Sequence, residues 1–71
     1  MPQGPVLLDV VAVLNDLPAE KLVRGQVGTV VEDLDPATVL VEFADDNGRS
    51  YALAPIARDR LLVLHYVQQA A

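Results

Sequence analysis

One histidine, His65, and no cysteine bound the chemistry that this 71-residue chain can offer. A zinc site would have to complete its ligand set with Asp or Glu alone, against the usual preference for His and Cys. His65 is therefore read as a strand-end residue. The run Asp45-Asp46-Asn47-Gly48 has the composition of a calcium loop. An EF-hand loop, however, spaces its acids at alternate positions and closes with a bidentate Glu, and neither feature is present. Asn47-Gly48 is instead a hairpin-turn signal. Ser50, His65 and the aspartates supply the atom types of a hydrolytic triad, but Ser50 has no strained elbow or oxyanion motif around it. Glu32 and Glu42 are expected to oppose each other across neighbouring strands as solvated carboxylates rather than as an acid–base pair. Gly25-x-x-Gly28 lacks the lysine and the following helix of a phosphate loop. The residues thus point to no catalytic, cofactor-binding or metal site, and to a protein that is not an enzyme.

Charge narrows the partners. Ten acids against five bases give a formal net charge of -5. Affinity for nucleic acid comes largely from neutralising phosphates, which this balance opposes. Phe43, Tyr51 and Tyr66 are the three aromatics, too few for a platform that stacks single-stranded bases. No apolar run approaches the ~20 residues of a membrane-spanning helix. Met1-Pro2-Gln3-Gly4-Pro5 has neither the basic region nor the apolar stretch of a secretory signal. With no disulfide available, the expected location is cytoplasmic.

The elements that would position these residues are strands. Residues 1–71 read as a single domain, with a loose arm over Met1–Val6 and a frayed tail over Gln68–Ala71. Leu7–Leu14 is rich in β-branched residues and predicts strand one. Asn15–Val23 is a long loop around Pro18, with room for one helical turn over Ala19–Leu22 and with Leu17 and Leu22 folding inward. Gln26–Asp33 predicts strand two. Gly25 and Gly28 at its start suit a bend and a close backbone approach. Asp33-Leu34-Asp35-Pro36 predicts a turn, because Asp bonds its own backbone two residues on. Thr38–Phe43 is strand three, with Val39, Val41 and Phe43 on one face. Ser50–Ala54 is strand four, with Tyr51 and Leu53 on one face and Pro55 ending it. Ala57–Arg60 suits one 3₁₀ turn. Leu61–Val67 is strand five, where its valines and brevity outweigh a terminal helix.

Five short strands with a long first loop and a 3₁₀ turn before the last predict an all-β, SH3-like barrel. Its first and last strands would lie side by side, and closure would remove exposed edges. An OB-like barrel is the alternative, but it needs a longer chain and a helix between strands three and four. The segments LLDVVAVLNDLP, RGQVGTVVE, VLVEFADDNGRSYAL and LLVLH, spanning Leu7 to His65, resemble the small bacterial family called domain of unknown function 4926. Gly25-x-x-Gly28-x-Val30 is also similar to the glycine bend of KOW motifs. The resemblance implies an SH3-like barrel and carries over no catalytic residue. KOW modules meet RNA or basic assemblies with positive loops, and this chain departs from them by being acidic.

Strands one and five lack the alternation that a half-buried antiparallel strand should show. Asp9 is the one polar residue in Leu7–Leu14, and His65, with amphipathic Tyr66, breaks Leu61–Val67. With Val11, Val13, Leu61 and Val63 inward, Val10, Ala12, Leu14, Leu62 and Leu64 point outward from neighbouring strands. They then form one apolar patch, rimmed by Asp9, Asp16 and Asp59. The arm, the first loop or the tail would have to fold over it for it to be covered. The expected function is a non-enzymatic interaction module, an acidic accessory or antitoxin- or immunity-like protein that binds a protein partner through this face. The alternative is a homo-oligomeric structural protein with no hetero-partner. No cofactor, nucleic acid, membrane or small-molecule substrate is expected, since small barrels fill their interiors with side chains.

Overall fold

The computed structural model describes residues 4–65. The protein is all-β, with five antiparallel strands in one open sheet and two short 3₁₀ turns. The strands are β1 (Val10–Val13), β2 (Val27–Asp35), β3 (Thr38–Ala44), β4 (Ser50–Ala57) and β5 (Leu61–Val63). Their order across the sheet is β4-β3-β2-β1-β5. The first and last strands therefore pair, as the barrel plan requires, with Ala12 opposite Leu62. Among the described residues β4 and β5 remain edges, so the ladder itself does not close and the edges are not removed.

The core follows from the period of two along each strand. Val11 and Val13 of β1, Val30 of β2, Val39, Val41 and Phe43 of β3, and Ala54 and Ile56 of β4 all point to one face and are buried. Leu61 of β5 joins the same cluster, so the sheet curls until residues from both edge strands share one core. The long first loop plugs an end of that core. A 3₁₀ turn at Pro18–Glu20 brings Leu17 back to pair with Leu22, and Leu22 is fully enclosed.

Turn chemistry fixes the hairpins. Asp45 Oδ1 accepts from the backbone N–H groups of Asn47 and Arg49, and Gly48 takes φ +79°. Asp35 Oδ1 accepts from Ala37 N–H. That moves the β2–β3 turn to Pro36-Ala37, two residues beyond the expected one, and lengthens β2 to Asp35.

Several expectations are corrected. β1 starts at Val10, not Leu7, because Leu8 adopts φ 72° and Asp9 exchanges hydrogen bonds with Val6 across a turn. Pro55 does not end β4. It lies within an edge strand, and the bond from Arg58 N–H to the Ala37 carbonyl sets the alternation so that the proline nitrogen faces the free edge. β5 ends at Val63, four residues short of Val67, and Tyr66 and Val67 lie outside the described residues, as does the tail. The described part of the arm is not loose. Pro5 is fully buried, and its carbonyl accepts from Arg58 Nη1.

Candidate functional site

Register places the outward residues of the sheet in rows. Ala12 of β1 stands opposite Leu62 of β5 on one side and Val27 of β2 on the other. Two residues along β1, Val10 begins a second row that continues through Thr29 and Glu42 to Leu53 of β4. A third row, beyond a bulge, runs Glu32, Leu40, Pro55. Val11, Val13 and Leu61 point the other way into the core. The expected outward set is thus gathered on one face. Leu62 is 52% exposed and Leu14 40%, while Val10, Ala12 and Leu64 are half-buried. Leu14 and Leu64 lie just beyond the strands, and their N–H groups extend the ladder to the carbonyls of Arg60 and Val10.

Two of the three segments that were candidates to cover this face are held elsewhere. The arm packs Gly4 against Val63, an inward residue, and binds Arg58. The first loop turns Leu17 and Leu22 into the core.

The carboxylates divide by use. Asp9 Oδ2 accepts from Val6 N–H and Asp16 Oδ1 from Arg24 N–H, both at 2.9 Å, so each braces a turn of its own chain. Asp59 is exposed on the second 3₁₀ turn, Arg58–Arg60. Glu32 and Glu42 do not face each other. A bulge after Val30 sets Glu32 against Leu40 and leaves Glu42 against Thr29.

Among the described residues, Arg58 is the most engaged side chain. It donates to the carbonyls of Pro36, Pro5 and Asp35, and forms a 2.8 Å ion pair with Asp33. It thereby ties the arm, the β2–β3 turn and the second 3₁₀ turn together. Nothing in its sequence neighbourhood signals this, because its partners are mostly backbone carbonyls from distant segments. Val27 was also missed as a member of the outer face, and Glu42, expected only as a solvated carboxylate, was not placed in a row with the outward residues of β1. Their signal is a strand-to-strand register that bulges set.

No three His, Asp or Glu side chains among the described residues converge to hold a metal ion. Ser50 opens β4 and His65 follows β5, at opposite ends of the strand order, and no hydrogen bond joins them among the described residues. Two shallow depressions border the second 3₁₀ turn. One, of about 330 Å³, is lined by Gly4, Pro36 and Arg58; the other, of about 270 Å³, by Leu17, Pro55 and Ile56. Both are open, and the guanidinium in the first is already bonded within the chain.

A family model described as Domain of unknown function (DUF4926) matches residues 7–63. No curated protein and no solved structure matches the chain.

Proposed function

The chain belongs to the domain of unknown function family DUF4926, and on that premise we propose that it is a non-enzymatic interaction module built on an SH3-like barrel. Its working surface is the outer face of β1 and β5, and its occupant is a protein partner. Accessory and antitoxin- or immunity-like roles in a bacterial cytoplasm fit this reading. The observation that carries it is the exposure of Leu62 and Leu14 on a face that neither the described arm nor the first loop covers. A contiguous apolar patch of this kind on a small domain marks an interaction site more often than not. Asp9, Asp16 and Asp59 are rim residues in this proposal, with Asp9 and Asp16 giving one carboxylate oxygen each to their own backbone.

A second reading is self-association. It draws on Leu62, a protruding side chain, standing directly beside Ala12, a small one. Such a bump and hollow on one surface suits a two-fold contact. Area does not choose between the two readings: the outward side chains would bury about 300 Å² on each partner in either, where a stable interface takes about 800 Å².

The test is the size of the tagged chain in an extract of its own host, compared with Leu62→Ser/Leu64→Ser. The wild type is expected to sediment well above its 7.6 kDa monomer mass. The double variant is expected to sediment at monomer size and, once purified, to keep the circular-dichroism spectrum of the folded chain. Equal sizes for the two proteins would defeat the proposal. Self-association of the purified chain alone would favour the second reading.

A further inference from the structure

The strands carry charge of one sign. β2 holds Glu32, Asp33 and Asp35, β3 holds Glu42, and no strand holds a lysine or arginine. All the bases, Lys21, Arg24, Arg49, Arg58 and Arg60, lie in loops or 3₁₀ turns. Of the four strand acids, Asp33 is paired with Arg58, and Asp35 caps its own turn. Glu42 is different. It is exposed in the row Val10, Thr29, Glu42, Leu53, next to the row Leu62, Ala12, Val27. It is the one charged residue in those two rows, and no base pairs with it among the described residues.

Resting on the reading that the outer face is the working surface, we infer that its occupant combines aliphatic side chains with a lysine or arginine that meets Glu42. The aliphatic part has a place to go. Ala12 is the floor of a dip walled by Leu62 and Val27 on the flanking strands, about 4.8 Å away on either side. Along β1 the dip is bounded by Val10 and Leu14. The dip accepts one protruding side chain. A base set one row along and two strands across, about 10 Å in the strand-to-strand direction, then lies over Glu42. Docking would exclude water from around that carboxylate, which strengthens its attraction to a cation and makes an apolar or acidic occupant the poorer one. A second copy of this chain would bring Glu42 against the same two rows, which hold no base, so charge argues against self-docking and for a basic partner.

The probes are two synthetic peptides, one alternating Leu with Lys and one alternating Leu with Glu. Each is titrated into the ¹⁵N-labelled full chain at low and physiological salt. The Lys peptide is expected to shift the amides of Ala12, Val27, Glu42 and Leu62, with affinity falling as salt rises. The Glu peptide is expected not to bind. Glu42→Gln should weaken the Lys peptide about tenfold, and Leu62→Ser should abolish binding, both with the spectrum of a folded domain kept. Loss in Leu62→Ser with no change in Glu42→Gln would overturn the charge assignment while leaving the working face in place. Equal binding of both peptides, shifts mapping elsewhere, or no binding up to millimolar peptide would overturn the inference. So would self-association that rises with salt and that the Lys peptide does not displace.

Discussion

Gly28 and Phe43 face each other across β2 and β3 with no room for another atom between them. A Cβ on Gly28 would stand 2.9 Å from Phe43 Cδ2 and 2.7 Å from the Glu42 carbonyl oxygen. The bare inner position on β2 is what lets the Phe43 ring lie fully buried against the sheet. Gly25, three residues earlier, is a glycine for another reason. It has open space around it but a φ of +93°.

Gly28→Val should therefore destabilise the fold by overpacking, by about 1–3 kcal/mol. Gly28→Ala should also be destabilising, because a backbone carbonyl cannot swing aside as a flexible side chain can. The midpoint of urea unfolding reads this directly. An unchanged midpoint would mean that the approach of β3 to Gly28 is not as close as described.

At Gly25 strain acts without crowding. Gly25→Ala should lower stability by about 1–2 kcal/mol, the cost of a left-handed backbone for an L-residue. Gly25→Asn should cost less, since Asn tolerates positive φ. If Ala and Asn cost the same, backbone conformation is not the reason for Gly25.

Arg58→Ala should lower stability by about 1–3 kcal/mol, because it removes donors from three carbonyl acceptors and frees the arm. Its side chain is 15% exposed, whereas that of Asp33 is 56% exposed. The ion pair is thus solvent-screened, and Asp33→Asn should cost no more than about 1 kcal/mol. Amide exchange would check the mechanism: Arg58→Ala should speed exchange around Ala37 and Val6, and Asp33→Asn should not. Equal effects from both variants would assign the contribution to the ion pair instead of the carbonyl bonds.

The chain should not bind duplex DNA or structured RNA at physiological salt. Net charge is -5, and Arg58, the best-placed base, is directed inward to carbonyls and Asp33. A mobility shift at micromolar chain that weakens with salt would contradict this and restore the likeness to RNA-binding KOW motifs.

Local pattern made much of this legible. The alternation Val39, Val41, Phe43 marks the inner face of β3, and all three are buried. Asp45 to Gly48 makes the expected hairpin turn, and the 3₁₀ turn before β5 is in place. Leu17 and Leu22 turn inward as their position in a polar loop suggests. Elements whose limits depend on distant partners were not legible. The apolar run at Leu7 and Leu8 has strand composition, yet it forms a turn that Asp9 and Val6 close. Pro55 reads as a stop only if its strand has neighbours on both sides, and β4 has one. The adjacency of β1 and β5 was readable from the barrel plan that five short strands suggest. The places of Val27 and Glu42 beside them depend on registers and a bulge that no residue type announces.

Leu61 and Leu62 give the most direct test that the outer face is bare and available. They are neighbours in sequence on opposite faces of β5, 7% and 52% exposed. Urea unfolding of the two single alanine variants of the purified chain measures what each leucine contributes to the fold alone. Leu61→Ala is expected to lose about 2–5 kcal/mol, as a core truncation does. Leu62→Ala is expected to stay within about 0.5 kcal/mol of wild type, as an open surface position does. A loss at Leu62 as large as that at Leu61 would show the outer face already packed under its own chain, and the interaction surface would have to be sought elsewhere.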